Sequence, residues 1–184
     1  MDPACPEVVI PTRDRWTLYS HHLSTSDSYQ TSYGKLCDVR SYQDAGRMWN
    51  HTHPSLVGDP TRVIQIQGRR IISWSLFRDA ISPEWEHPRN AGGLTFTLRN
   101  TMSPDVAYRL WEALVTRCVL SQHPPGLNGV QVSRKSTSVR PREPGLLMKF
   151  DVWFAPNTSK HDASQWVREI LPGHSFAHVP RSQR

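Results

Sequence analysis

Hydrophobic and polar residues alternate in several short stretches of this chain and recur at helical spacing in two others. Residues 15–21, Arg-Trp-Thr-Leu-Tyr-Ser-His, place Trp16 and Leu18 on one face of a strand. A short strand is expected at 36–39, then a weak helix at 41–51, whose interior Gly46 costs about 1 kcal/mol relative to alanine. Residues 62–67 and 70–77 flank Gly68-Arg69 and predict a hairpin. The stretch 81–93 holds Pro83, Pro88, Gly92 and Gly93, so Trp85 and Glu86 fall on a loop; residues 94–98 resume as strand. The clearest helix spans 104–120, with Ser103 as N-cap, Pro104 first and Asp105 at the positive end. Val106, Leu110 and Leu114 repeat along it at intervals of four, with Ala107, Trp111 and Cys118 alongside. Strands follow at 127–133 and 146–154, separated by a basic loop at 135–145, and a last helix at 160–171 turns Trp166, Val167 and Ile170 inward. The sum is an α+β domain: an antiparallel sheet with three helices on one face.

A length of 184 residues fits one domain, taken as 12–184 behind a Pro-rich flexible tail at 1–11. Seven tryptophans exceed what a core of this size needs and permit a stacking site. The formal charge is +6, but its distribution says more than the total. Between Asn128 and Lys149, the basic residues Arg134, Lys135, Arg140, Arg142 and Lys149 face Glu143 alone. Cys5, Cys37 and Cys118 are an odd set without a close pair, which argues against a disulfide framework or a thiolate metal site. Neither a secretory signal core nor a membrane-length apolar run is visible, so a cytoplasmic location is expected, with the nucleus left open as well.

Catalytic signatures are missing. His51 and His53, or Cys118 with His123, could be imagined as ligands or a thiol pair, yet neither has a convincing third partner. There is no glycine-rich phosphate loop, HExxH or GxSxG motif. No enzymatic activity, metal or cofactor is expected.

The stacking reading has a firmer physical basis. An alkylated, cationic purine gains stacking and cation–π attraction between two ring faces, each stack contributing roughly 1–3 kcal/mol. A guanine edge presents N–H donors, which a carboxylate accepts, and a phosphate chain requires lysine or arginine. Trp85 beside Glu86, together with Lys149-Phe-Asp-Val-Trp153 behind the basic stretch, offers these groups.

The segment from Trp74 to Gly93, Trp-Ser-Leu-Phe-Arg-Asp-Ala-Ile-Ser-Pro-Glu-Trp-Glu-His-Pro-Arg-Asn-Ala-Gly-Gly, resembles the signature of the translation initiation factor 4E family, which binds the 7-methylguanosine cap of eukaryotic mRNA. Arg15-Trp-Thr-Leu-Tyr19, Arg109-Leu-Trp-Glu-Ala-Leu114 and Lys149-Phe-Asp-Val-Trp153 resemble further family motifs in the same order, and the likeness runs from Pro11 to Pro172. It implies a strongly curved antiparallel sheet of about eight strands, three helices on the convex back and the cap in the concave mouth. Carried over, Trp85 is one slice of the base sandwich, Glu86 the acceptor for guanine, Trp153 the contact at the N7-methyl side and Lys149 a phosphate ligand. A second phosphate residue falls at Arg134 or Lys135; Arg140 and Arg142 either extend the RNA contact or form a solvated loop. Tyr29 occupies the other stacking position, where most family members have tryptophan, with nearby Tyr33 as an alternative.

The resemblance also implies partners. Family members receive a helical motif of a 4G-like scaffold or another 4E-interacting protein on the convex face, through a tryptophan on the first helix. Here that position is Gly46, between Tyr42 and Trp49, while Glu112 and Thr116 replace leucines on the long helix. Either the partner differs or Trp49 replaces the anchor in a shifted register. A longer stretch between His51 and Ser75 carries Arg62, Arg69 and Arg70 for a further contact. The expectation is a monomeric subunit that recruits capped mRNA for translation. A cap-binding repressor or storage factor and a general single-stranded RNA binder are the competing readings.

Overall fold

A computed structural model describes residues 8–22, 33–52, 65–66, 68–134, 146–170, 172–173 and 177–180. The elements are β1 (Pro11–His22), β2 (Tyr33–Ser41), α1 (Tyr42–Thr52), β3 (Gln65–Ile66), β4 (Arg69–Arg78), β5 (Leu94–Met102), α2 (Pro104–Val119), β6 (Leu127–Arg134), β7 (Leu146–Phe154), α3 (Lys160–Ile170) and β8 (Ala177–Pro180). Seven strands run in the order β2-β1-β4-β6-β7-β5-β8, all antiparallel, and β3 hairpins onto β4. The sheet is curved and open, as the family resemblance implies, and carries the three helices that the sequence pattern predicts.

Alternation along each strand divides the sheet into two chemically different faces. Trp16 and Leu18 of β1, Trp74 and Leu76 of β4, Val130 and Val132 of β6, and Phe150 and Val152 of β7 are all buried in one apolar cluster. The helices cover that face. α2 contributes Ala107, Leu110, Trp111, Leu114, Val115 and Cys118, and α3 contributes Ala163, Trp166, Val167 and Ile170. Ser103 caps α2 by accepting from the Val106 N–H at 3.4 Å, and Pro104 follows where a missing N–H costs nothing. The end of α2 is tied to α3 by the Trp166 indole, which donates to the Gln122 carbonyl at 2.6 Å.

Several details depart from the sequence reading. Val106 is exposed, because the buried stripe of α2 runs through 107, 110, 111 and 114 and leaves the preceding residue on its margin. Arg69 belongs to the strand rather than the turn, paired with Ile66, while Gly68 supplies the positive φ of 75°. β1 and β2 are longer than the alternation suggests, and β8 has no expectation behind it. The Gln43 side chain accepts from the Ile10 N–H and donates to the Val8 carbonyl, fastening residues 8–10 to the start of α1. His51 lies in α1 rather than on an extended segment, and His53 lies outside the described residues. Cys118 is wholly buried and its thiol is held far above the usual range by desolvation, which leaves it a core residue. Among the described residues no group of three metal-ligating side chains occurs.

His123 sits behind β1, edge-on to Trp16, with its Nε2 3.2 Å from Asp14 and its Nδ1 3.2 Å from the Pro124 carbonyl. Burial, assisted by Arg78, pushes the imidazole below its ordinary range and outweighs the opposing pull of Pro124 and Asp14. The unfolded chain therefore takes up this proton first as the pH falls. The stabilisation is complete above about pH 6.5 and declines as pH drops from there toward the folded value. Urea midpoints recorded between pH 8 and pH 5 should fall below pH 6.5, and His123→Gln should flatten part of that decline.

Candidate functional site

The face of the sheet turned away from the helices carries ordered rows of side chains. One row runs Thr17, Phe77, Gly129, Trp153 and Thr95 across β1, β4, β6, β7 and β5. The next is Tyr19, Ser75, Gln131, Asp151 and Thr97; the third is His21, Ser73, Ser133, Lys149 and Arg99. Small polar residues form the middle of this floor. Aromatic rings gather at one end and cations at the other.

Trp153 is 2% exposed and lies edge-on to Phe77 at 5.3 Å. Gly129, their neighbour on β6, has to be glycine because a Cβ would fall 2.5 Å from the Phe77 ring. Above them is Trp85, 38% exposed, with its ring centroid 4.9 Å from that of Trp153 and tilted by 47°. Glu86 follows directly and is exposed.

The loop that presents Trp85 and Glu86 is built on two buried asparagines. The Asn90 amide donates to the Ser82 and Glu84 carbonyls at 2.9 and 2.8 Å, while Asn128 on β6 donates to the Asn90 side-chain oxygen at 3.0 Å. His87 accepts the Arg89 N–H on Nδ1 and thereby directs its Nε2–H to the Ala80 carbonyl. Ala80 adopts a φ of 63°, and Gly93 passes so close to Phe154 that a Cβ would strike the Phe154 carbonyl. Sequence reasoning missed Asn90 and Asn128. Their signal is an amide in a proline-rich loop and another beside Gly129, which pattern alone does not pair.

Lys149 lies on the same face as Trp153, and its ammonium reaches Asp151 at 2.6 Å. Arg134 pairs with Met148 and so shares a strand face with Val132 rather than with Lys149; Ser133 is the residue beside Lys149. Tyr29, Lys135, Arg140 and Arg142 lie outside the described residues. Tyr33 stacks on His21 at 4.4 Å near the far side of the floor.

On the opposite, helical side, Trp49 of α1 meets Tyr108 of α2 at 5.7 Å. Ala45, Trp49, Glu112, Val115, Thr116, Val119 and Leu120 line a cavity of about 260 Å³ there. The Tyr108 hydroxyl is within 3.5 Å of Glu112; burial, then the Glu112 charge, raises its pKa. Tyr42 and Gly46 lie on the exposed side of α1, two turns and one turn before Trp49 respectively. Nothing approaches the point where a Gly46 side chain would stand.

A model of the family described as eukaryotic initiation factor 4E matches residues 11–171. The chain belongs to that family. No curated protein sequence gives a significant match. Solved structures of 4E proteins share its fold at low identity. A schistosome eIF4E complexed with m7GpppA and 4E-BP is 19% identical, covers 95% of this chain and 89% of its own, and has a TM-score of 0.71. C. elegans eIF4E-3, in complex with the 4E-binding protein Mextli and a cap analog, is 18% identical over 94% and 93%, with a TM-score of 0.71. Ascaris suum eIF4E-3 with an m2,2,7G cap is 16% identical over 96% and 94%, with a TM-score of 0.70. In this 4E family member the family signature forms the Trp85 loop and the Lys149 motif forms the adjoining strand.

Because Phe77 stands over Gly129, Gly129→Ala should force the ring away and destabilise the fold by about 1–3 kcal/mol. A lowered urea midpoint together with altered tryptophan emission would report the loss of the Phe77–Trp153–Trp85 stack.

Proposed function

We propose that this chain binds the 7-methylguanosine cap of mRNA on its concave face, as a translation initiation factor that recruits capped mRNA in the cytoplasm. One observation carries the reading: an exposed indole, Trp85, is held on a hydrogen-bonded loop against Trp153, with Glu86 beside it and Lys149 on the same sheet face. Trp85 offers its outer face to a methylated guanine, and Glu86 accepts from the guanine N–H edge. Lys149 meets the phosphates, with Lys135, Arg140 and Arg142 reaching the RNA beyond; Arg134, on the strand face of Val132, is left out of the contact. Tyr29 completes the sandwich in this proposal. The positive charge of the methylated base distinguishes it from ordinary guanine through the ring faces and the carboxylate together.

On the convex side, the groove between Trp49 and Leu120 takes the helical segment of a 4E-interacting protein. The schistosome and C. elegans relatives are in complex with 4E-BP and Mextli. Glu112 and Thr116 make this groove more polar than an all-leucine face, and burying them against apolar side chains is costly unless they are hydrogen-bonded. That observation favours a second reading, a cap-binding repressor that holds mRNA away from the usual scaffold. The concave chemistry is identical in both readings, so they part only at the partner.

Calorimetric titration with 7-methylguanosine triphosphate and GTP side by side tests the cap reading: the methylated nucleotide should bind at least about tenfold tighter, or roughly 1.4 kcal/mol. Equal binding would sink the proposal. Trp85→Ala and Glu86→Ala should each weaken cap binding by about 1–2 kcal/mol without unfolding the chain, as read by calorimetry alongside circular dichroism.

A further inference from the structure

We propose that Asp151 sets how strongly this site weighs the phosphate chain, by clamping the Lys149 ammonium and cancelling the charge that would otherwise meet the phosphates. The inference rests on the cap reading and deepens it. β7 sends Lys149, Asp151 and Trp153 to one face. A strand rises about 3.3 Å per residue, so the Asp151 Cα stands about 7 Å from those of Lys149 and Trp153, which puts Asp151 between the ring that would face the base and the cation that would face the phosphates.

The contacts are short and specific. Lys149 Nζ donates to Asp151 Oδ2 at 2.6 Å, and Thr97 Oγ1 donates to Oδ1 at 2.6 Å. Asp151 is 3% exposed, whereas the Lys149 side chain is 30% exposed. Gln131, in register with Asp151 on β6, directs its amide to Ser73 instead. Arg99, in register with Lys149 on β5, is exposed.

A carboxylate this deeply buried is costly without its cation. Were Lys149 to swing toward a phosphate, Asp151 would keep, among the described residues, only the Thr97 hydroxyl. The ammonium therefore stays, with two of its three donors still available to an incoming oxygen. That oxygen meets a pair of zero net charge rather than a free cation. The methylated base then dominates recognition, and the number of phosphates matters less.

The test is calorimetry on the full chain with 7-methylguanosine mono- and triphosphate over a range of salt concentrations. Wild type is compared with Asp151→Asn, Lys149→Ala and the double variant. Removing the opposing charge beside the ammonium should tighten triphosphate binding about fivefold in Asp151→Asn, change the monophosphate less than about twofold, and steepen the salt dependence by about 0.7 in log–log slope. Lys149→Ala should weaken the triphosphate, and the double variant should return to wild type, since both leave the position neutral. The proposal fails if Asp151→Asn binds the triphosphate no more tightly, or if the double variant falls as far as Lys149→Ala. Should the asparagine chain not fold, the wild type decides alone. A triphosphate preference over monophosphate below about thirtyfold, roughly 2 kcal/mol, supports the clamp, and a larger one overturns it. Failure of the cap reading looks different: wild type would then not separate 7-methylguanosine triphosphate from GTP, and both proposals would go together.

Discussion

A strand can send consecutive side chains only to opposite faces, and β7 uses that constraint at every position of its described side chains. Met148, Phe150, Val152 and Phe154 enter the core beneath the helices, while Lys149, Asp151 and Trp153 stand on the other face. Slipping the register of β7 by one residue would bury a lysine and an aspartate against α2 and α3 and expose two phenylalanines. The apolar half of the strand thus enforces the placement of the polar half. Because β4 and β6 obey the same alternation, the rows of Phe77, Ser75 and Ser73 and of Gly129, Gln131 and Ser133 fall into line beside it.

On that floor the site is assembled from elements that differ in rigidity. Trp153 packs edge-on against Phe77, whose ring fills the space Gly129 leaves. Trp85 lies on a loop, where irregular backbone has to find its own hydrogen bonds. Asn90 supplies them from inside, and Asn128 ties the loop to the sheet. The exposed indole is consequently presented by a buried amide network instead of by a regular element.

Local chemistry accounts for what could be read from the chain. The period of α2, its Ser103-Pro104 start, and the alternation of β6 and β7 are decided within a few residues, and so appear in the sequence. Trp85, Glu86, Lys149 and Trp153 were legible because they sit in dense motifs. What escaped depends on distant partners. β8 pairs with β5 through only a short register, Thr97 reaches Asp151 across 54 residues of chain, and Asn128 reaches Asn90 across 38. Arg134 illustrates a subtler gap: its charge drew attention to it, whereas its face follows from the pairing with Met148.

The bare backbone at Gly46 reverses the polarity of shape on the convex side. Where the family resemblance implies an aromatic knob, this helix has bare backbone with open space above it. A ligand evolved to close around a knob gains nothing from a dent, and one with bulk to fill a dent would collide with the knob. Mutual exclusion of that kind arises from van der Waals contour alone, without any charge. The contour at one residue of α1 thus bears on which helical segment fits this face.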